Sequence, residues 1–152
     1  MNIQFPKRVG TTMVSVEGGW YNNSNILREP LAGLPAVLPV KDSVRHWFAS
    51  PRAAVGFLKH AAALDLSLLE GRIALNMPGQ SATVAEEIEA LRRVAGQKAV
   101  DLIRHEPDET IARIVASWPE NFTAARAKAL GFQAETSFDQ IIQAHLEDSA
   151  PT

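Results

Sequence analysis

Every strand-like stretch in this 152-residue sequence is short, and from Ser24 onward such stretches alternate with helices marked by their capping residues. Residues 12–16, 36–40, 45–48, 72–76 and 100–104 read as strands of four or five residues. Ser24 caps a first helix that ends near Gly33, and Ser50 with Pro51 opens a second that runs to Ala63. Thr83 and Glu86 have the spacing of a capping box, and Gly96 stops that helix. Pro107 opens a helix that ends before Pro119, residues 124–130 form another up to Gly131, and Ser137 caps the last. The apolar stripes are Ala54, Val55, Leu58, Ala61 and Ala62, then Val84, Ile88, Leu91 and Val94, and finally Phe138, Ile141, Ile142 and Leu146. Five or six helices alternating with three to five short strands indicate an α/β or α+β class. So few and such short strands do not make an ample sheet alone, which points to an incomplete fold. Residues 1–24, with Gly10, Gly18, Gly19 and the polar run 22–24, break the pattern and stand apart.

Composition narrows the function. The chain is 46% hydrophobic and 21% charged, a globular balance long enough to bury a core. A formal net charge of −2 provides no basic field for nucleic acid or an anionic membrane, so neither is expected as a partner. The absence of cysteine excludes disulfides, thiolate catalysis and thiolate metal ligands, and fits a reducing compartment. No apolar run spans a bilayer and the N-terminus lacks the pattern of a signal peptide, so the expected location is the cytoplasm. The four histidines stand far apart, which argues against a metal centre.

Autonomous chemistry is not written in the sequence. A dinucleotide needs a Gly-x-Gly-x-x-Gly turn opening a helix, and Gly18-Gly19 leads instead into Trp20, Tyr21 and asparagines. No P-loop or Gly-x-Ser-x-Gly elbow occurs, and Tyr21 has Asn25 where a Tyr-x-x-x-Lys pair needs lysine. No catalytic residue and no bound cofactor are therefore expected of the chain itself.

Three stretches, in order, resemble the C-terminal part of the extended short-chain dehydrogenase/reductases, the NAD-dependent epimerase/dehydratase family. Residues 45–54 (RHWFASPRAA) are similar to a family strand leading into a helix. Residues 73–79 (IALNMPG) followed by 83–86 (TVAE) are similar to the family's "Y-N-[IV]-G…[ST]-[VI]-x-E". Residues 122–132 (FTAARAKALGF) resemble its "S-K-A-x-x-x-L-G-[WF]" segment. Residues 28–33, 50–58 and 75–79 look most like the branch of D-erythronate dehydrogenases, often described as nucleoside-diphosphate-sugar epimerases. The resemblance implies the substrate-side portion of a Rossmann-type enzyme over residues 25–148, with residues 1–24 not matching and 149–152 a tail. It also implies an NAD-binding half and a Ser/Tyr/Lys catalytic set upstream, so that NAD belongs to the parent enzyme.

On that reading the substrate-binding residues are Arg52, Arg45, Ser50 and Asn76. Arg45 fills the slot where the family often sets an arginine on a nucleotide-sugar diphosphate, a task that suits a planar guanidinium fork. Arg52 stands where the family usually has Asp, at a helix start that favours an anion, so its expected partner is a substrate carboxylate or, alternatively, a nearby side-chain carboxylate such as Glu29 or Asp42. Ser50 belongs to the same segment, and Asn76 ends a strand where α/β ligands sit. The expected ligand is a small sugar acid or a sugar nucleotide. The alternatives are a non-catalytic binding or oligomerisation module, or a truncated gene product without selected activity. An incomplete sheet should expose apolar edge, so a homo-oligomer is also expected.

Overall fold

The computed structural model describes residues 25–149 other than Ile73, together with the backbone of four short strands before them. These four are β1 (Asn2–Gln4), β2 (Lys7–Arg8), β3 (Val14–Val16) and β4 (Gly19–Tyr21). They are followed by α1 (Asn25–Leu31), β5 (Ala36–Leu38), β6 (Arg45–Ala49), α2 (Pro51–Ala63) and a 3-10 turn, Leu66–Leu69. Next come β7 (Ala74–Asn76), β8 (Gln80–Thr83), α3 (Val84–Ala95), α4 (Gln97–Val100), β9 (Ile103–His105), α5 (Glu109–Val115), α6 (Ala125–Ala129) and α7 (Phe138–Ser149). The α/β class is as expected, with more elements than the sequence suggested.

The excess has physical causes. Gln80–Thr83 is polar and reads as loop, yet it pairs antiparallel with β6, where Gln80 faces Phe48 and Thr83 faces Arg45. Val100 closes the four-residue α4 and does not begin a strand, because Gly96 at φ 82° restarts the chain as a short helix. Thr12 and Met13, read as the start of a strand, lie outside the described residues, and Val14–Val16 is paired with Gly19–Tyr21.

The strands form four small sheets. β1 pairs in parallel with β7, and β2 in parallel with β6. α2 follows β6 directly and, through the 3-10 turn, leads to β7. β6 is buried along nearly its whole length. Phe48 enters a core with Ile26, Leu38, Val84, Leu91, Phe138 and Ile141. Ala49, on the opposite side, joins Phe57, Leu75, Met77, Ala127 and Phe132. A strand covered on both faces reads as a continuous apolar run, as Trp47-Phe48-Ala49 does.

Three of the caps hold where predicted; Ser24 lies outside the described residues, and the helix expected to open at Pro107 starts at Glu109 with Asp108 as its cap. Ser50 Oγ accepts from the Ala53 amide at 2.9 Å, and Thr83 and Glu86 form the reciprocal box at 3.1 and 2.7 Å. Ser137 Oγ accepts from Gln140 N–H at 3.3 Å. The α2 stripe is different from the one expected. Ala54 and Phe57 are buried, whereas Val55 and Leu58 are half exposed. Leu146, the last member of the α7 stripe, also reaches solvent. Among the described residues no helix is long and apolar enough to cross a membrane.

Candidate substrate site

At the C-terminal end of β6 the chain turns into α2 through Ser50, which is fully buried. Its hydroxyl donates to Glu135 Oε1, its backbone N–H donates to Glu135 Oε2 at 3.3 Å, and its oxygen caps α2. Glu135 lies in the connection between α6 and α7. Its carbonyl accepts from Gln80 Nε2 at 2.5 Å, at the start of β8. Three segments distant in sequence are thereby joined. Beside them is a cavity of about 500 Å³, lined by Pro78, Gly79, Gln80, Lys128, Glu135 and Thr136 among others. That volume suits a small molecule. The lining provides an ammonium, a carboxylate, an amide and a hydroxyl, a set suited to a polyhydroxylated acid.

The expected residues do not converge on this cavity. Ser50 has no surface to offer a ligand, and its hydrogen-bonding capacity is already used. It is bonded to Glu135, and the structure places it behind the cavity wall and not among the lining residues. Arg52 donates to Glu147 at 2.8 Å and to Asp148 at 2.6 Å. α7 thus supplies anions to this guanidinium, and the two carboxylates hold it charged more firmly still. Arg45 sits at the far end of β6. With a rise of about 3.3 Å per residue it lies roughly 16 Å from Ser50. Its guanidinium donates to Ser81 O and Oγ at 3.2 and 3.3 Å and pairs with Glu86 at 3.2 Å. The Thr83 backbone N–H, and then Arg45, hold the Glu86 carboxyl below the usual carboxylate range. Asn76 closes β7, in register with Gln4.

Gln80, Lys128 and Glu135 were not singled out from the sequence as site residues. Gln80 looks like loop, Lys128 looks like a solvated position on an alanine-rich helix, and Glu135 has no local partner that would mark it. Only the return of the chain past β6 after more than eighty residues gives Glu135 its place.

A second cavity, about 490 Å³, lies between α1 and α7 and is lined by Arg28, Leu31, Leu34, His145 and Leu146 among others. Burial, and then the neighbouring Arg28, push the His145 pKa below its ordinary value near 6.5, while Asp148 opposes them. Below the ordinary histidine pKa the unfolded chain therefore binds a proton that the folded chain refuses, so stability falls with pH in that window. The melting temperature should drop between about pH 7 and pH 5.5, and His145→Gln should flatten that drop. Equal slopes for the two proteins would contradict the assignment.

The first-turn amides of α2, α3 and α5 are engaged by Ser50, Thr83 and Asp108, so those helix starts do not present the open amide cradle that a pyrophosphate requires. Among the described residues no group of three or more His, Cys, Asp or Glu could hold a metal ion.

No protein-family model matches the chain. The D-erythronate dehydrogenase of Cupriavidus necator is 45% identical over 126 residues, which is 83% of this chain and 39% of that protein. The D-erythronate dehydrogenase of Haemophilus influenzae is 40% identical over 124 residues, 82% of this chain and 39% of that protein. The solved nucleoside-diphosphate-sugar epimerase of Agrobacterium tumefaciens superposes with a TM-score of 0.89 at 54% identity, over 97% of this chain and 43% of that one. The chain thus spans about two fifths of the length of the relatives it matches. Motif order, fold and identity agree, and the chain belongs to the extended short-chain dehydrogenase/reductases of the NAD-dependent epimerase/dehydratase kind, carrying a C-terminal part of their fold.

Proposed function

We propose that this chain supplies the substrate-side portion of a dehydrogenase acting on a four-carbon sugar acid, with NAD held by the part of such enzymes that the chain does not span. The observation that carries the reading is the cavity braced by Ser50, Glu135 and Gln80, in a chain 45% identical to a D-erythronate dehydrogenase. In this reading the Lys128 ammonium takes the substrate carboxylate. The Glu135 carboxylate and the Thr136 hydroxyl take sugar hydroxyls, and Gln80 holds the Glu135 carbonyl in place. Asn76 ends β7 two residues before Pro78, which lines the cavity. Arg45, at the other end of β6 and engaged by Ser81 and Glu86, stays outside the site in this reading. The lining residues bind and orient, and hydride transfer belongs to the cofactor.

The test is calorimetric titration of D-erythronate into the chain, alongside Lys128→Ala and Glu135→Gln. Removing one charged hydrogen bond costs about 1.5–3 kcal/mol, so Lys128→Ala should weaken binding roughly 10- to 100-fold at unchanged melting temperature. NAD alone should leave the melting temperature where it is. Equal binding by the wild-type chain and Lys128→Ala would overturn the site.

A further inference from the structure

α6, which carries Lys128 to the wall of the candidate cavity, is too short to place itself. It has five residues, and no side chain caps its first turn, so its own hydrogen bonds leave it marginal. Lys128 is exposed and lines the cavity, and among the described residues no hydrogen bond or ion pair holds its ammonium. Where that ammonium stands is therefore decided by what fixes the backbone of α6 and of the turn after it. Before Lys128 the helix is secured by Ala127, which is buried, and by Arg126, which donates to Leu69 O and, at 2.8 Å, to Arg72 O.

Beyond Lys128 the turn is held from α2. Phe57 and His60 are three residues apart on that helix and share a face. The Phe132 ring meets both, 6.3 Å from Phe57 at 56° and 4.6 Å from His60 at 81° between centroids and planes. His60 Nε2 lies 2.7 Å from Leu130 O. A carbonyl only accepts, so Nε2 carries the proton and donates it to one of the carbonyls that a helix end leaves without an intrahelical partner. Residue 131 has to be glycine for this approach. Its φ is 89°, and a Cβ there would stand 3.2 Å from both Cε1 and Nε2 of His60. The Gly131 N–H in turn donates to Lys128 O at 3.0 Å, and the Phe132 N–H to Ala127 O at 3.0 Å. The imidazole is thus tied through a single turn of backbone to Lys128 and Phe132. Those two line the cavity, and His60 stands behind them.

We propose that His60 is a positioning residue of the substrate site: by holding Leu130 O it fixes the turn after α6, and with it the place of Lys128 in the cavity wall. It acts through Lys128. The proposal rests on the reading of the cavity given above, and the experiment below separates the two.

D-erythronate is titrated calorimetrically into the full chain and into His60→Phe, which keeps a ring against Phe132 but cannot donate. Affinity should fall roughly 3- to 10-fold, the effect of one neutral hydrogen bond, while the melting temperature drops by about 2–4 °C. His60→Gln, whose amide keeps a donor in the place of Nε2, should recover most of that affinity. With Lys128 already changed to Ala, adding His60→Phe should cost less than about twofold, because its route to the ligand is gone. A histidine serving stability alone would lower the melting temperature and leave the affinity of the folded chain as it was. Unchanged affinity in His60→Phe, or a full further loss on the Lys128→Ala background, would overturn the proposal and leave the cavity reading intact. A wild-type chain that binds no D-erythronate would sink the cavity reading instead. Amide exchange then decides the role of His60: in His60→Phe the Gly131 and Phe132 amides should exchange roughly threefold faster or more, and in His60→Gln they should not. Equal exchange in wild type and His60→Phe would show that the turn does not depend on His60.

Discussion

Phe48→Ala destabilises the chain by about 3–5 kcal/mol, the range for removing a buried aromatic side chain from a packed core. Phe48 is 2% exposed and meets Phe138 edge-on at 5.1 Å between ring centroids, at an interplanar angle of 87°. That contact ties the central strand of the three-stranded sheet to α7. His46 approaches the same ring at 6.0 Å, so a cavity there would be walled by rigid rings that collapse poorly. Marginal domains have only about 5–15 kcal/mol in all, so a substantial unfolded fraction is expected at physiological temperature. Urea denaturation followed by circular dichroism measures the loss. A change below about 1 kcal/mol would mean that β6 is not the strand on which the two cores meet.

Ser50→Ala is expected to cost about 2–4 kcal/mol, because one hydroxyl serves two purposes. Loss of the helix cap costs about 1 kcal/mol. A Glu135 carboxylate left in a part-buried place with only the Ser50 backbone N–H as donor adds about 1–3 kcal/mol. The second part should disappear when Glu135 is also truncated. The double variant Ser50→Ala, Glu135→Ala should therefore fall short of the sum of the singles by about 1–3 kcal/mol, and additive losses would show that the two side chains do not meet. Ser50→Thr should retain both bonds and most of the stability.

The local signals in the sequence were legible wherever the structure is made locally. Ser50-Pro51, the Thr83–Glu86 box and Ser137 each mark a helix start, because a capping residue and the amides it serves lie within one turn. Residues 45–54, 73–86 and 122–132 also carried the family resemblance, since strand, loop and capped helix succeed one another in a fixed order. What was not legible depends on distant partners. Gln80–Thr83 becomes a strand only because β6 lies beside it. Arg52 was read correctly as a cation in need of an anion, but the anions come from Glu147 and Asp148, about ninety-five residues on. Glu135 has no sequence signal at all. The apolar positions of α2 were read as one core-facing stripe, and the structure divides them into a covered side and an open one.

The central claim, that this chain is the substrate-side portion of a sugar-acid dehydrogenase, is tested most directly by exchange. The matched 39% of the Cupriavidus necator D-erythronate dehydrogenase is replaced by this chain, and reduction of NAD is followed with D-erythronate as substrate. The account predicts D-erythronate-dependent NADH formation that falls at least tenfold with Lys128→Ala at unchanged affinity for NAD. A folded chimera that binds NAD but does not oxidise D-erythronate would contradict it.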